Sequence, residues 1–166
     1  GLSSSPDWEM EGTAPGILFG YSVARAGDVN GDGYGDVIVG SPEYEDGETD
    51  EGAAYVYLGT SSGLESSPNW WGEGDDDEAE YGAAVAGGGD IDDDGYADIV
   101  VGARYDDDPD SSTDDEGRVS VYLGSASGPS ATADWEFQGT DKNGFLGFAV
   151  ALDGDLNCDG YADLVV

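Results

Sequence analysis

Short apolar runs separated by Gly- and Asp-rich turns make up almost the whole chain, and no stretch holds a helical period. Asp36-Val37-Ile38-Val39-Gly40 and Asp98-Ile99-Val100-Val101-Gly102 are β-branched runs of the length and composition expected of buried strands. Ser22-Val23-Ala24 before the first of these, and Ala53 to Leu58 after it, predict two further strands. Trp8-Glu9-Met10 and Trp135-Glu136-Phe137, with polar residues facing outward, predict a fourth. With 29 glycines the chain is a poor candidate for long helices.

The pattern then repeats. Phe19-Gly20 aligns with Tyr81-Gly82 and Leu146-Gly147, at spacings of 62 and then 65 residues, and self-similarity of this kind marks a repeat architecture. In that register Trp8, Trp70 and Trp135 coincide, as do Gly33, Gly95 and Gly160. Ala54-Tyr55-Val56-Tyr57-Leu58-Gly59 returns as Val119-Ser120-Val121-Tyr122-Leu123-Gly124, and Gly1-Leu2 falls on Gly63-Leu64. Four short strands in a unit of roughly 60 residues is the pattern of a β-propeller blade or a β-solenoid rung. The chain is therefore expected to be all-β, built of β-propeller-type blades of four antiparallel strands. Residues 1–18 would be the outer strand of a preceding blade and a linker, 19–80 and 81–145 two blades, and 146–166 a partial third. About two and three-quarter blades fall short of the four or more of a closed propeller. A fragment of a larger repeat array, or self-association through open blade edges, is expected.

The chemistry of the chain sits in three loops of one design. They run Asp28-Val29-Asn30-Gly31-Asp32-Gly33-Tyr34-Gly35-Asp36, Asp90-Ile91-Asp92-Asp93-Asp94-Gly95-Tyr96-Ala97-Asp98 and Asp155-Leu156-Asn157-Cys158-Asp159-Gly160-Tyr161-Ala162-Asp163. Side-chain oxygens stand at loop positions 1, 3, 5 and 9, with Gly at 6. Calcium takes 6–8 oxygen ligands at about 2.3–2.6 Å, and a chain curling around it needs Gly at the sharp bend. Position 7 would offer a backbone carbonyl, so Tyr34, Tyr96 and Tyr161 would ligate through main chain. Position 12 is Val39, Val101 or Val166, which excludes the EF-hand and its bidentate acid there. Asp36, Asp98 and Asp163 would instead close the shell. Magnesium fits less well, because it keeps several waters in a compact octahedron. Asp, Asn and Gly also favour turns as such, but three loops in register point to about three Ca²⁺ per chain.

Charge supports a cation and narrows the function. Thirty-eight Asp and Glu stand against four Lys and Arg, a net charge of −34, with no His. Such a field repels phosphate backbones and anionic lipid, so neither nucleic acid nor membrane insertion is expected. Without His, and with Lys142 the sole lysine, Ser–His and Cys–His catalysis and His-ligated metals are excluded. The single Cys158 excludes an intramolecular disulfide and a cysteine–zinc site. No apolar run approaches the ~20 residues of a membrane span, and Gly1 to Pro6 has no signal-peptide pattern. An enzyme is not expected, since a carboxylate-based glycoside hydrolase would need acids outside the repeated loops.

Phe19-Gly20, the acidic loop and Gly40-Ser41-Pro42 together resemble the FG-GAP repeat of integrin α-subunit propellers. The second unit departs slightly, with Tyr81-Gly82 and Gly102-Ala103-Arg104, and the third has Leu146-Gly147. The resemblance implies a seven-bladed propeller in family members, with calcium in the hairpin between the first two strands of a blade. It also implies a cell-surface or secreted setting, adhesive or enzyme-linked. Extracellular calcium is high enough to fill weak sites, which agrees.

Other features are read more plainly. The acidic stretches Glu43 to Glu51, Asp75 to Glu78 and Asp106 to Glu116 are expected to be solvated loops; the alternatives are extra weak calcium binding, a partner-facing rim, or an adaptation to high salt. The in-register Trp residues are expected to pack blades, whereas Trp71 has only Glu9 and Glu136 as counterparts and suits a surface contact. Arg25, Arg104 and Arg118 are expected in ion pairs. The expected function is a calcium-binding extracellular module for adhesion, protein–protein interaction or structural assembly. Its partner would be a protein or glycan at the cell surface or in the extracellular matrix. The alternative is a lectin-like or accessory region of a secreted enzyme.

Overall fold

The computed structural model describes residues 4–108, 115–152 and 154–166, and these form strands, turns and no helix. The first sheet contains β1 (Ser22–Gly27), β2 (Asp36–Ser41), β3 (Ala53–Tyr57) and, after a small hairpin of β4 (Gly59–Thr60) and β5 (Gly63–Leu64), β6 (Trp70–Glu73). They lie in the order β1-β2-β3-β6 and are antiparallel throughout. The second sheet repeats this with β7 (Tyr81–Gly89), β8 (Asp98–Ala103), β9 (Arg118–Tyr122) and β10 (Trp135–Gln138). A third begins with β11 (Ala151–Leu152) paired to β12 (Leu164–Val165). Meanders of four antiparallel strands are the blades that the repeat predicts.

Blades stack face to face, which explains the unbroken apolar runs. Strands buried on both faces need apolar side chains at successive positions, not alternate ones. In β8, Ile99 and Val101 join Ile38, Ala54, Val56 and Trp70 in the core between the first two sheets. Val100, between them in sequence, turns the other way and packs with Val119, Val121 and Leu152 toward the third unit. Two buried hydroxyls meet in the first core, Tyr81 against Tyr122 at 2.6 Å, so neither is left without a partner.

The paired glycines of the repeat are where blades touch. A Cβ on Gly40 would overlap the Gly82 carbonyl, and one on Gly102 the Gly147 carbonyl. Gly82 and Gly147 in turn have φ of 86° and 84° and back onto the Ala53 and Arg118 carbonyls. The Gly of one unit's Phe-Gly position thus nests on the penultimate Gly of the preceding unit's second strand. Only hydrogen at Cα permits that approach.

Several expectations need correction. Trp8-Glu9-Met10 is not in a strand. In both complete sheets the fourth strand pairs with the third, whereas Trp8 meets the first sheet through its side chain. Its indole packs edge-on against Tyr57, with ring centroids 5.3 Å apart, and donates to the Glu65 carbonyl at 3.0 Å. The in-register Gly1-Leu2 lies outside the described residues. Trp70 is buried against Tyr122 and donates to the Ser130 carbonyl, but its counterpart Trp135 is 49 % exposed and stacks on Phe137.

The acidic stretches are not uniformly solvated either, because Glu51, Asp106 and Glu116 are buried. Glu51 accepts the Asp46 amide, and Asp106 pairs with Arg118 at 2.8 Å. Glu51 thus closes its own loop, and Asp106 ties its loop to β9. Residues 109–114 of the last stretch lie outside the described residues. Arg104 pairs with Glu80 as expected, whereas Arg25 makes no ion pair among the described residues.

Gly102→Ala should lower stability by about 3 kcal/mol in urea unfolding, the upper range for overpacking. Gly35→Ala should change it by less than about 0.5 kcal/mol, since a Cβ there meets nothing and the matching positions are already Ala97 and Ala162. Equal effects at the two sites would refute the nesting of glycines between blades.

Candidate metal centres

Each acidic loop connects the first two strands of its sheet: β1 to β2, β7 to β8, and β11 to β12. Local sequence closes the loop in the same way each time. The carboxylate at position 1 accepts the amides of positions 5 and 6: Asp28 from Asp32 and Gly33 at 3.0 and 2.8 Å, Asp90 from Asp94 and Gly95 at 3.1 and 2.9 Å, and Asp155 from Asp159 and Gly160 at 3.0 and 2.8 Å. Position 5 accepts the amide of position 7, as Asp32, Asp94 and Asp159 do from Tyr34, Tyr96 and Tyr161. Gly33, Gly95 and Gly160 all have positive φ, as expected. Position 4 is left-handed as well, at Gly31, Asp93 and Cys158 with φ of 71°, 59° and 64°.

The aspartate at position 9 does more than end the loop. Asp36 accepts the Val29 amide on one oxygen and the Gly59 amide on the other, both at 2.8 Å. Asp98 does the same with Ile91 at 2.6 Å and Gly124 at 2.8 Å. Each carboxylate therefore joins the loop, the second strand and the turn after the third strand. Asp98 is fully buried and Asp36 nearly so. In the third loop Asp163 accepts from Leu156 at 2.6 Å, and its other oxygen faces the Asn157 side chain at 3.4 Å.

Gly59 and Gly124 were not recognisable as part of the site from the loops alone. The signal was the repeated Tyr-Leu-Gly at Tyr57-Leu58-Gly59 and Tyr122-Leu123-Gly124, whose glycine amides point at the aspartates.

In the second loop one oxygen from each of Asp90, Asp92 and Asp98 lies within 4.8 Å of the other two. Oxygens on one calcium, each at about 2.3–2.6 Å, are separated by up to roughly that distance. The donors are anionic, hard and preassembled, and they fit a divalent cation that prefers oxygen. Asp94 is not part of this three-carboxylate group, and Asn30 and Asn157 replace Asp92 in the other loops. The Tyr96 ring covers Gly31, where a Cβ would lie 2.6 Å from its Cε1, while Tyr34 and Tyr161 are exposed.

Electrostatics shows the cost of the arrangement. Burial pushes the Asp98 carboxyl from 3.8 up to about 6; the Ile91 and Gly124 amides oppose the rise and the Asp92 and Asp90 charges add to it. Asp36 is raised in the same way, first by burial. Asp92 is raised by its own desolvation and by Asp94. Asp155, more exposed, is lowered, chiefly by the Gly160 amide. A cation would relieve the burial and repulsion that a proton otherwise relieves.

The sign of the pH dependence follows. Between roughly pH 4 and 6 the cation-free folded chain holds a proton on Asp98 that the unfolded chain has released. Cation-free stability should therefore rise as pH falls from 7 to 5, by about 1.3 kcal/mol from this group. Any stabilisation by added calcium should shrink over the same window, because proton and cation compete for the carboxylate. Thermal melts of demetallated protein at pH 7 and 5 check both. A lower melting temperature at pH 5 would contradict the burial of an ionised Asp98.

Comparison with known proteins gives one answer. The FG-GAP repeat model matches residues 19–57 and 81–122. Integrin alpha-6 of Gallus gallus is 38 % identical over 170 residues, covering 99 % of this chain and 14 % of that protein. Human integrin alpha-6 is 35 % identical over 163 residues, covering 97 % and 13 %, and human integrin alpha-7 is 38 % identical over 154, covering 89 % and 12 %. The chain thus spans about one-seventh of the length of these relatives. Matching repeats, all-β blades and acidic hairpin loops agree that the chain belongs to the integrin α-like FG-GAP β-propeller family.

Proposed function

We propose that this chain is a calcium-held, non-catalytic module that acts outside the cell in adhesion, protein–protein interaction or structural assembly. The observation that carries the reading is the convergence of Asp90, Asp92 and Asp98 on the β7–β8 hairpin. The other loops offer the same pattern, Asp28, Asn30, Asp32 and Asp36, and Asp155, Asn157, Asp159 and Asp163, with the carbonyls of Tyr34, Tyr96 and Tyr161 completing the shells. About three Ca²⁺ per chain would bind. Each would fix an inner hairpin and, in the first two loops through Asp36 and Asp98, the turn that follows the third strand. The likeness to integrin α chains supports a protein partner at the cell surface or in the matrix.

Calorimetric titration of demetallated protein should give about three calcium ions per chain, and Asp98→Asn should remove one. Unchanged stoichiometry in Asp98→Asn would rule out the carboxylate as a ligand. The adhesive reading predicts calcium-dependent retention of at least one purified matrix protein from a panel, abolished by chelator. Retention of none would contradict it.

One feature favours a glycan contact as a second reading. A cleft of about 460 Å³ lies between β6 and the outer part of the second blade, with Trp71 on its rim and Glu73, Arg118, Ser120 and Glu136 in its walls. Trp71 is 51 % exposed, and an aromatic face beside planar polar groups suits a sugar ring. A glycan screen should then show binding that Trp71→Ala reduces at least roughly tenfold, about 1.4 kcal/mol. Binding indifferent to that change would place the contact elsewhere.

A further inference from the structure

The loops of adjacent blades are wired to one another through backbone. Val29, at position 2 of the first loop, donates its amide to Asp36 at 2.8 Å. Its carbonyl accepts the Ser125 amide at 3.1 Å, from the turn after the second blade's third strand. The residue before it, Gly124, donates its amide to Asp98 at 2.8 Å, and Asp98 accepts Ile91 at 2.6 Å. An uninterrupted path of hydrogen bonds and peptide units thus runs from the position 9 carboxylate of one loop to that of the next. A second connection lies beside it. The Asp28 carbonyl accepts the amide of Ala97, the neighbour of Asp98, at 3.0 Å. The third loop repeats this connection, with Ala162 donating to the Asp90 carbonyl at 2.9 Å.

From this wiring we infer that cation binding in neighbouring loops is cooperative, each filled loop raising the affinity of the next. The inference rests on the reading that the loops hold cations. A cation that orders the first loop fixes the Asp28 and Val29 carbonyls, the acceptors for Ala97 and Ser125. Those amides bracket Asp98 and its partner Gly124, so the second loop binds with part of its ordering already done. Both loops are closed in one structure with every link of the path made, so the two closed forms are compatible, and opening either removes partners from the other. Charge acts the opposite way, since neutralising one acidic loop weakens attraction at the next. That effect is long-ranged and is screened beyond about 8 Å at physiological salt.

The test uses variants that weaken one loop without touching the path. Asp92→Asn alters the second loop and Asp32→Asn the first, and neither side chain is a link in the path. Calcium is titrated into the full chain at 150 mM KCl, with the Gly33 and Gly95 amide resonances reporting each loop separately. Asp92→Asn should weaken binding at the first loop, and Asp32→Asn binding at the second, by the same factor of roughly five or more. Binding linkage requires that equality. In Asp92→Asn, filling the first loop should also slow hydrogen exchange at Ala97 and Ser125. Independent affinities, changed less than twofold in both variants, would overturn the inference and leave the cation sites standing. Unequal factors would overturn it too, by showing that the substitutions act on structure and not on occupancy. No calcium uptake by the unaltered chain would instead remove the cation reading itself.

Discussion

Buried carboxylates at the start of a strand are the constraint on which the rest of this structure depends. Asp36 and Asp98 sit where the inner hairpin, the second strand and the turn beyond the third strand meet, and each oxygen is matched to a backbone amide. The hydrogen bonds make the position rigid, and burial beside like charges makes it unfavourable for an anion. The two facts together account for the loop. Its other oxygens stand where a cation would offset the charge, and its left-handed positions 4 and 6 let the loop turn sharply enough to bring them there. The inner end of a blade is organised by carboxylate–amide hydrogen bonds, and its flanks by apolar packing.

The flanks use a different economy. Strands buried on both faces need bulk at every position, so Ile, Val and Ala fill β2, β3 and β8. Between blades the limit is the reverse, since Gly40 against Gly82 and Gly102 against Gly147 leave no room even for a methyl group. Large residues within a blade and none at the nested glycines set the distance and the angle between sheets. The same spacing brings Asp28 and Ala97, and Asp90 and Ala162, within hydrogen-bonding distance, so stacking of blades and linkage of loops have one cause.

Much of this was legible in the chain because the repeat supplied three readings of each position. The blade pattern, the hairpin location of the loops and the conformation of Gly33, Gly95 and Gly160 all follow from local sequence. What was not legible depends on neighbours. Trp8 has a strand-like sequence but meets the first sheet through its indole, against Tyr57 and the Glu65 carbonyl. Trp70 and Trp135 match in sequence, yet Trp70 is covered by Tyr122 and Ser130 of the following blade, whereas Trp135 stacks on Phe137 of its own strand. Glu51, Asp106 and Glu116 look like solvated charge, yet the fold buries all three. The roles of Gly59 and Gly124 reside in their amides, and an amide leaves no trace in residue type.

Whether cations hold the inner hairpins is tested by a pair of thermal melts at pH 7.5, one with excess calcium and one with excess chelator. If the loops are cation sites that hold the inner hairpins, the chelated protein should melt many degrees lower, and the difference should disappear when calcium is restored. Superimposable melts would mean that the buried aspartates are satisfied by amides alone and that the loops are turns without a cation.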